Sequence, residues 1–523
     1  MKKISVILSL LFLFFTGNLY AEISVEYFGG AGRVSGSCAL LKTDDKSVII
    51  DCGNFYEEGS LPAYNDTIDK KLVDVDAMVL THAHNDHSGK IPLLINEGFN
   101  GKIYCTAATR KILFETFDDG WNHFDIKKKY FWSKITRLKI EKIHKGVLTV
   151  HWYFDCRDKI RIIEEIPERL SLNQLKLKYN IGMKLCKSCL KKELERTQKH
   201  FVDVLYKENI ELSDKINFTL FDAGHITGSA SVLFNVYDKG EIKKIAFSGD
   251  LGTGFSKITP DKDIIPKADY VFVETTYGAS EKNVVYADYD VFQNVVSNAL
   301  KNNKIVWIPS LSLHRTQKIL YEIKQAQKKG LISEDIPVYS LSPSSNGITA
   351  LYEQELKNPS QEKWFKDEVY EMGTFLPANY ITQKQKNEEF PVPCIVISAS
   401  GMMNQGVSYF LLNKLLSRSD VELFLVSYAA PQTPAGQLKK GTKSIKTKYG
   451  KMDVASNINI FNIFSDHADS TELLRWLSEQ DENTQLYLVH GEKNTLKKAQ
   501  KNYKSKGFPN THIAREGIQI LVK

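Results

Sequence analysis

Thr81-His82-Ala83-His84-Asn85-Asp86-His87-Ser88-Gly89 places three imidazoles and a carboxylate within six residues, directly after the apolar run Ala77-Met78-Val79-Leu80. That run is short, apolar and bounded by polar residues, which predicts a buried strand. A strand ending in such a cluster delivers its histidines on a rigidly anchored loop. A polar loop with idle histidines is the plain alternative, but the His-x-His-x-Asp-His spacing is specific for a metal. These donors suit borderline cations such as zinc, and four of them exceed what one tetrahedral ion takes from a single loop. Two metal ions are therefore expected.

Working outward, other strand signals also run into a potential ligand. Upstream, Ile23 to Phe28 reads as a strand before the Gly29 to Ser37 stretch, whose glycines allow a tight turn. The run Ser47-Val48-Ile49-Ile50 closes on Asp51-Cys52-Gly53, and an Asp there suits a partner for a ligating histidine or a turn cap. Downstream, Thr219-Leu220-Phe221 leads to Asp222-Ala223-Gly224-His225, and Lys244 to Phe247 leads to Ser248-Gly249-Asp250. Tyr270 to Val273 leads to Glu274, Ile458 to Phe464 to Ser465-Asp466-His467, and Gln485 to Val489 to His490. Together they supply further imidazoles and a carboxylate able to bridge two ions.

The first residues are not part of this pattern. Lys2-Lys3, the apolar stretch Ile4 to Phe15 and Leu19-Tyr20-Ala21 have the form of a secretory signal peptide over 1–21, cleaved after Ala21, with an uncleaved membrane anchor as the alternative because Leu19 is large for a cleavage site. No later stretch has the roughly 18 apolar residues of a membrane span. The expectation is a periplasmic or secreted soluble protein with no stable membrane insertion after cleavage. Formal charge is +7 over 523 residues, a mild excess that a polyanionic substrate tolerates but does not require. Aromatic content of 11% excludes a disordered chain, and the length implies two or more domains. Seven cysteines do not make a disulfide scaffold, although six could pair in an oxidising compartment.

Between about 121 and 201 the glycine-punctuated strands give way to a Lys-, Trp- and Tyr-rich segment, read as an insertion or a long helical excursion. His151, Cys156, Cys186 and Cys189 within it could form a second, tetrahedral zinc site, or Cys186 and Cys189 a disulfide. Beyond Gly278, strand and helix signals alternate through Ile305 to Ile308, Ile336 to Leu341, Cys394 to Ser398 and Val421 to Tyr428. That alternation predicts a second α/β domain with a largely parallel sheet.

The ordered set of motifs resembles metallo-β-lactamase-fold hydrolases of the β-CASP group, which includes ribonuclease J and the endonuclease subunit of the pre-mRNA 3′-end cleavage complex. The resemblance rests on Gly29 to Cys38, Asp51-Cys52-Gly53, the 82–87 cluster, Gly224-His225, Gly249-Asp250, Glu274-Thr275-Thr276-Tyr277-Gly278, Ser398-Ala399-Ser400-Gly401-Met402, Ser465-Asp466-His467 and His490-Gly491-Glu492. It implies an αββα sandwich over 22–279 and 441–523 with a β-CASP α/β domain inserted at 280–440. It also implies one zinc on His82, His84 and His225, a second on Asp86, His87 and His490, and Asp250 bridging them. Two such ions would stabilise a bridging hydroxide and neutralise charge on a phosphoryl group. Asp86, Glu274 and His467 are the residues implied to act in catalysis, with His467 as proton donor to the leaving oxygen and Glu274 orienting it.

Histidine at position 490 resembles the RNA-directed members of the group, so the implied substrate is RNA. Two stretches depart from the group: His314-Arg315-Thr316-Gln317 where Gly-Arg-x-Gln is common, and Gln432-Thr433-Pro434-Ala435-Gly436 where Gly-Thr-x-Gly-Arg is common. The second removes a phosphate-facing arginine, for which Lys439 and Lys440 substitute in part. The leading expectation is a secreted or periplasmic zinc-dependent ribonuclease. A two-zinc hydrolase of another phosphodiester or ester is the alternative. A non-catalytic binding protein would show degenerate ligands, and none is seen. A homodimer is compatible with the sequence.

Overall fold

The computed structural model describes residues 22–56, 61–123, 135–144, 147–154, 160–167, 194–281, 287–382, 389–447 and 450–523. Two seven-stranded sheets form its first unit. In space, the first runs Gln519–Leu521, Ser24–Gly29, Cys38–Lys42, Ser47–Ile50, Ala77–Val79, Lys102–Cys105, Phe201–Asp203. The second runs Asn209–Ser213, Ile216–Asp222, Ala230–Asp238, Glu241–Phe247, Tyr270–Glu274, Gln485–Val489, Thr511–Ile513.

Alternation along these strands explains the layering. Val25, Leu41, Val48 and Val79 of the first sheet pack against Phe218, Val232, Phe234, Ile245 and Phe272 of the second, all buried. The outer face of the first sheet is covered by the helices Ile91–Glu97 and Ala107–His123, through residues such as Met78, Leu94 and Ile112. On the second, Ser470–Trp476 and Lys493–Ser505 bury Leu473, Trp476, Leu496 and Tyr503 over Val271, Val273 and Leu488. Helix, sheet, sheet, helix is the αββα sandwich, the metallo-β-lactamase fold. Burying the two sheet faces against each other and capping both outer faces leaves strand ends as the places where polar side chains can gather.

A third sheet has the spatial order Tyr380–Ile381, Val338–Ser340, Cys394–Ser398, Ile305–Pro309, Val421–Leu425, Asn457–Ile460, every pairing parallel. Its central strands are buried throughout, as a parallel sheet covered on both faces requires. Helices Ala287–Lys301 and Arg315–Lys328 cover one face, Gly406–Leu415 and Pro434–Lys439 the other. This is the inserted β-CASP domain.

Two details differ from the sequence reading. Asn457–Ile460 pairs with Val421–Leu425, so the third sheet extends past residue 440 and the strand leading to His467 belongs to it. Within the segment after 121, the described residues Ile135–His144, Val147–Phe154 and Ile160–Pro167 form a three-stranded antiparallel sheet where a helical excursion is one of the two expectations. Runs such as Val147-Leu148-Thr149-Val150 and Ile160-Arg161-Ile162-Ile163 are rich in β-branched residues, which fit a pleated strand. Cys156, Cys186 and Cys189 lie outside the described residues, as do residues 1–21 and the side chain of His151. The remaining cysteines, Cys38, Cys52, Cys105 and Cys394, are buried and form no disulfide among the described residues. Among the described residues no helix is long and apolar enough to cross a membrane.

Candidate metal centre

Strands from both sheets of the sandwich end at one place. Ala77–Val79 is paired on both sides, to Ser47–Ile50 and to Lys102–Cys105, so the loop it launches starts from a fixed point. The glycine after Asp51-Cys52 is dictated by contact: a Cβ on Gly53 would stand 1.6 Å from the carbonyl oxygen of Asp86. Backbone bonds tie the two loops together, Cys52 N–H donating to His87 O at 2.7 Å and Ser37 N–H to Asp86 O at 2.8 Å. The Gly-rich stretch also reaches the far end of the chain, because Gly30, at φ +73°, accepts from the N–H of His490 at 2.6 Å. Gly30 and His490, 460 positions apart, are thus brought together by backbone.

The side chains form two adjoining groups. Nδ1 of His84 lies 3.1 Å from Nε2 of both His82 and His225, and those two nitrogens stand 3.6 and 3.7 Å from Oδ2 of Asp250. Next to them, Nε2 of His87 lies 3.2 Å from Nε2 of His490 and 3.3 Å from Oδ1 of Asp250, with Asp86 Oδ2 3.8 Å from His490 Nε2. In each group one candidate ligand atom per residue lies within 4.8 Å of all the others. Asp250 is common to both sets of distances.

A cation fits this arrangement on two grounds. Burial pushes His82, His225 and His84 below the usual imidazole range, leaving neutral rings whose lone pairs converge. Oδ1 of Asp250 is buried and accepts no hydrogen bond, a costly state that a cation would relieve. The Asp250 carboxyl is held well below its ordinary range, against its burial, by His490 and His87.

Four of the candidate ligands, His82, His87, His225 and His490, are oriented by a neighbour. Asp51, itself at φ +60°, takes the Nδ1 side of His87 at 2.7 Å and accepts from the N–H and hydroxyl of Thr81 at 2.8 Å each. Thr81 Oγ1 lies 3.1 Å from Nδ1 of His82, Thr276 Oγ1 3.1 Å from Nδ1 of His490, and the Asp466 carbonyl 3.0 Å from Nδ1 of His225. Such partners fix tautomer and ring direction. The sequence reading reached Asp51 but missed Thr81, Thr276 and Asp466. Thr81 stands directly beside the predicted ligand His82 and Asp466 beside the predicted proton donor His467, and only adjacency could have marked them.

Glu274 and His467 adjoin this centre. The fully buried Glu274 carboxylate accepts from Leu251 N–H at 3.0 Å, from Thr276 N–H at 3.1 Å and from Nδ1 of His467 at 3.1 Å. Nδ1 of His467 is also 3.8 Å from Asp250 Oδ2, and the ring is partly exposed. All nine predicted residues outside the 121–201 segment therefore meet in one place.

On the β-CASP side, Asp466 receives Lys318 Nζ at 2.8 Å and Arg315 Nη2 at 3.0 Å, a buried triad that crosses from one domain to the other. Arg315 Nη1 donates to Val426 O at 3.1 Å. At the other departure, a Cβ on Gly436 would stand 2.0 Å from the Ala430 carbonyl oxygen, so no side chain fits there.

Comparison with known proteins agrees with this architecture. The Metallo-beta-lactamase superfamily matches residues 31–286, the Beta-Casp domain 316–438 and the Zn-dependent metallo-hydrolase RNA specificity domain 451–514. The chain is similar to Transcription termination factor FttA of Methanosarcina mazei, 26% identical over 487 residues that span 90% of this chain and 67% of FttA. It is similar to Ribonuclease TTHA0252 of Thermus thermophilus, 26% identical over 482 residues, 90% of this chain and 93% of that one. Its fold also resembles the crystal structure of a protein of unknown function from Enterococcus faecalis, with a TM-score of 0.50 and 14% identity, covering 96% of this chain and 100% of the other.

Proposed function

This chain belongs to the β-CASP group of the metallo-β-lactamase superfamily, a family of metal-dependent hydrolases, and from that premise we propose that it cleaves RNA phosphodiester bonds with two zinc ions. The observation that carries the reading is the placement of the Glu274–His467 pair against Asp250, beside the two ligand groups. His82, His84 and His225 would hold one ion and Asp86, His87 and His490 the other, with Asp250 between them. When bound, such ions supply charge neutralisation at the phosphoryl oxygens and nucleophilic water at neutral pH.

The chain's own residues do the rest. Thr81, Asp51, Asp466 and Thr276 orient four of the five candidate ligand imidazoles, those of His82, His87, His225 and His490, so the site is organised before substrate arrives. Glu274 engages Nδ1 of His467, which directs Nε2 to substrate, and that nitrogen delivers the proton to the leaving oxygen. The RNA specificity domain match over 451–514, which contains both His467 and His490, supports RNA as substrate, as does the similarity to a ribonuclease. Incubating the protein with labelled RNA and single-stranded DNA, with and without chelator, tests the reading: chelator-sensitive RNA cleavage is expected, and its absence overturns it.

A second reading has its own support. With no room for a side chain at Gly436, the β-CASP side lacks the phosphate-facing arginine expected there, and Arg315 is engaged by Asp466. A smaller phosphodiester would need neither. Hydrolysis of a chromogenic phosphodiester but not of RNA selects that reading. Export through residues 1–21 is part of the proposal and rests on sequence alone. N-terminal sequencing of protein recovered from a bacterial periplasm should begin at Glu22, and a cytoplasmic protein starting at Met1 would remove it.

A further inference from the structure

If Arg315 and Gly436 do not grip a phosphate backbone, a nucleic acid must be held elsewhere, and one surface stands apart in its charge. The helix Lys493–Ser505 starts three residues after His490 and contains no Asp or Glu. Lys493, Lys497, Lys501 and Lys504 are exposed, and at 3.6 residues per turn they fall within one sector of about 80° and a length of about 16 Å. The opposite face, Leu496, Ala499 and Tyr503, is buried on the second sheet, so the lysine stripe is fixed outward. Gln500 and Asn502 lock the flanks, donating to Thr511 O and Ser470 Oγ at 2.9 Å each.

A solvated surface helix would meet the same description if its charges were mixed. Several exposed lysines elsewhere have carboxylate partners, Lys71 with Glu26, Lys215 with Asp44, Lys329 with Asp290 and Lys363 with Asp367, and those without one, such as Lys42 and Lys301, do not form a helical stripe of this kind. The four lysines of the stripe make no ion pair among the described residues, and Lys493/Lys497 and Lys497/Lys501 are like charges at i,i+4. Each such pair destabilises a helix by a few tenths of a kcal/mol. A one-sign stripe kept at that cost, leading away from a metal-ligand loop, complements a polyanion.

We infer that this face is the track along which the phosphate backbone of a single-stranded RNA leaves the metal centre, an inference that rests on the ribonuclease reading. Contacts of this kind are counted by salt: for a single strand, log K falls by about 0.7 per phosphate neutralised for each unit of log salt.

The test measures the affinity of the full-length protein for a labelled oligouridylate across a salt series, in chelator so that nothing is cleaved. Lys497→Gln/Lys501→Gln/Lys504→Gln should flatten the slope by about 2. Lys42→Gln/Lys199→Gln/Lys301→Gln changes net charge equally at exposed sites elsewhere and should leave the slope as in the parent. Equal slopes in all three proteins overturn the inference. So does binding to phosphatidylglycerol vesicles that is lost in the first variant while its RNA slope is unchanged, which would make the stripe a membrane contact. A flattened slope in a protein that cleaves no RNA leaves the track standing and removes the ribonuclease reading instead.

Discussion

At the metal centre, carboxylates and imidazoles crowd together with lone pairs converging and one carboxylate oxygen unsatisfied, Asp250 Oδ1. Across the domain boundary the opposite holds, since Arg315 and Lys318 are buried cations and each is already ion-paired with Asp466. The first region presents donor atoms that suit a cation. The second closes its own circuit and so serves as structure, pinning the β-CASP domain to the loop that carries His467 and orients His225. The two clusters thus differ in purpose, and the unsatisfied atom distinguishes them.

The contrast can be broken at either end. Asp250→Asn leaves the sandwich intact but removes the charge common to both ligand groups, and hydrolysis should fall by at least about 10³-fold, several kcal/mol of barrier, with bound metal lost in parallel. Unchanged metal content by elemental analysis would show that Asp250 is not a ligand. Asp466→Ala should act on stability instead. It strands two buried cations and should cost about 3–5 kcal/mol in urea unfolding, while its carbonyl still serves His225. A variant as stable as the parent would reduce the triad to a surface-like pair.

Glu274→Gln sharpens the catalytic side. Glu274 is a positioning residue that acts through His467, so kcat should fall by about 10²-fold with KM nearly unchanged, and the basic limb of the pH profile should shift. A change confined to KM would place Glu274 in substrate binding.

The smallest effect concerns Asp222, half-buried at the end of the strand that leads to His225. Burial pushes its carboxyl up to about 8, aided by the charges of Asp263 and Glu362 and opposed by the Gly224 N–H. The folded state therefore holds the proton more tightly than the unfolded chain, whose carboxyl titrates near 3.9. This contribution to stability is fully present below about pH 4 and is lost as pH rises to about 8. Asp222→Asn should match the parent near pH 4 and exceed it by about 1–2 kcal/mol at pH 8, a value discounted for partial exposure. Parallel stability curves from pH 4 to 8 would remove Asp222 as the source.

Much of this was legible in the chain because strand-then-ligand is a local signal. Val79 before His82, Phe247 before Asp250 and Val489 before His490 each combine an apolar run with a turn, and both are short-range properties. The Lys-, Trp- and Tyr-rich segment after 121 misled because composition carries no register, whereas its β-branched runs decided the strands. The partners Thr276 and Asp466, and the capture of Arg315, were invisible because each depends on a contact across more than 100 residues.

By itself the sequence determined the ligand types, their order and the two-layer pattern that buries each strand, since side-chain chemistry and periodicity are written residue by residue. Tertiary structure alone decided which nitrogen of each histidine faces the metal, which cations are spent on Asp466, and which lysines remain unpaired on one helix face. Those outcomes are set by distances between segments far apart in the chain, and a distance belongs to the fold.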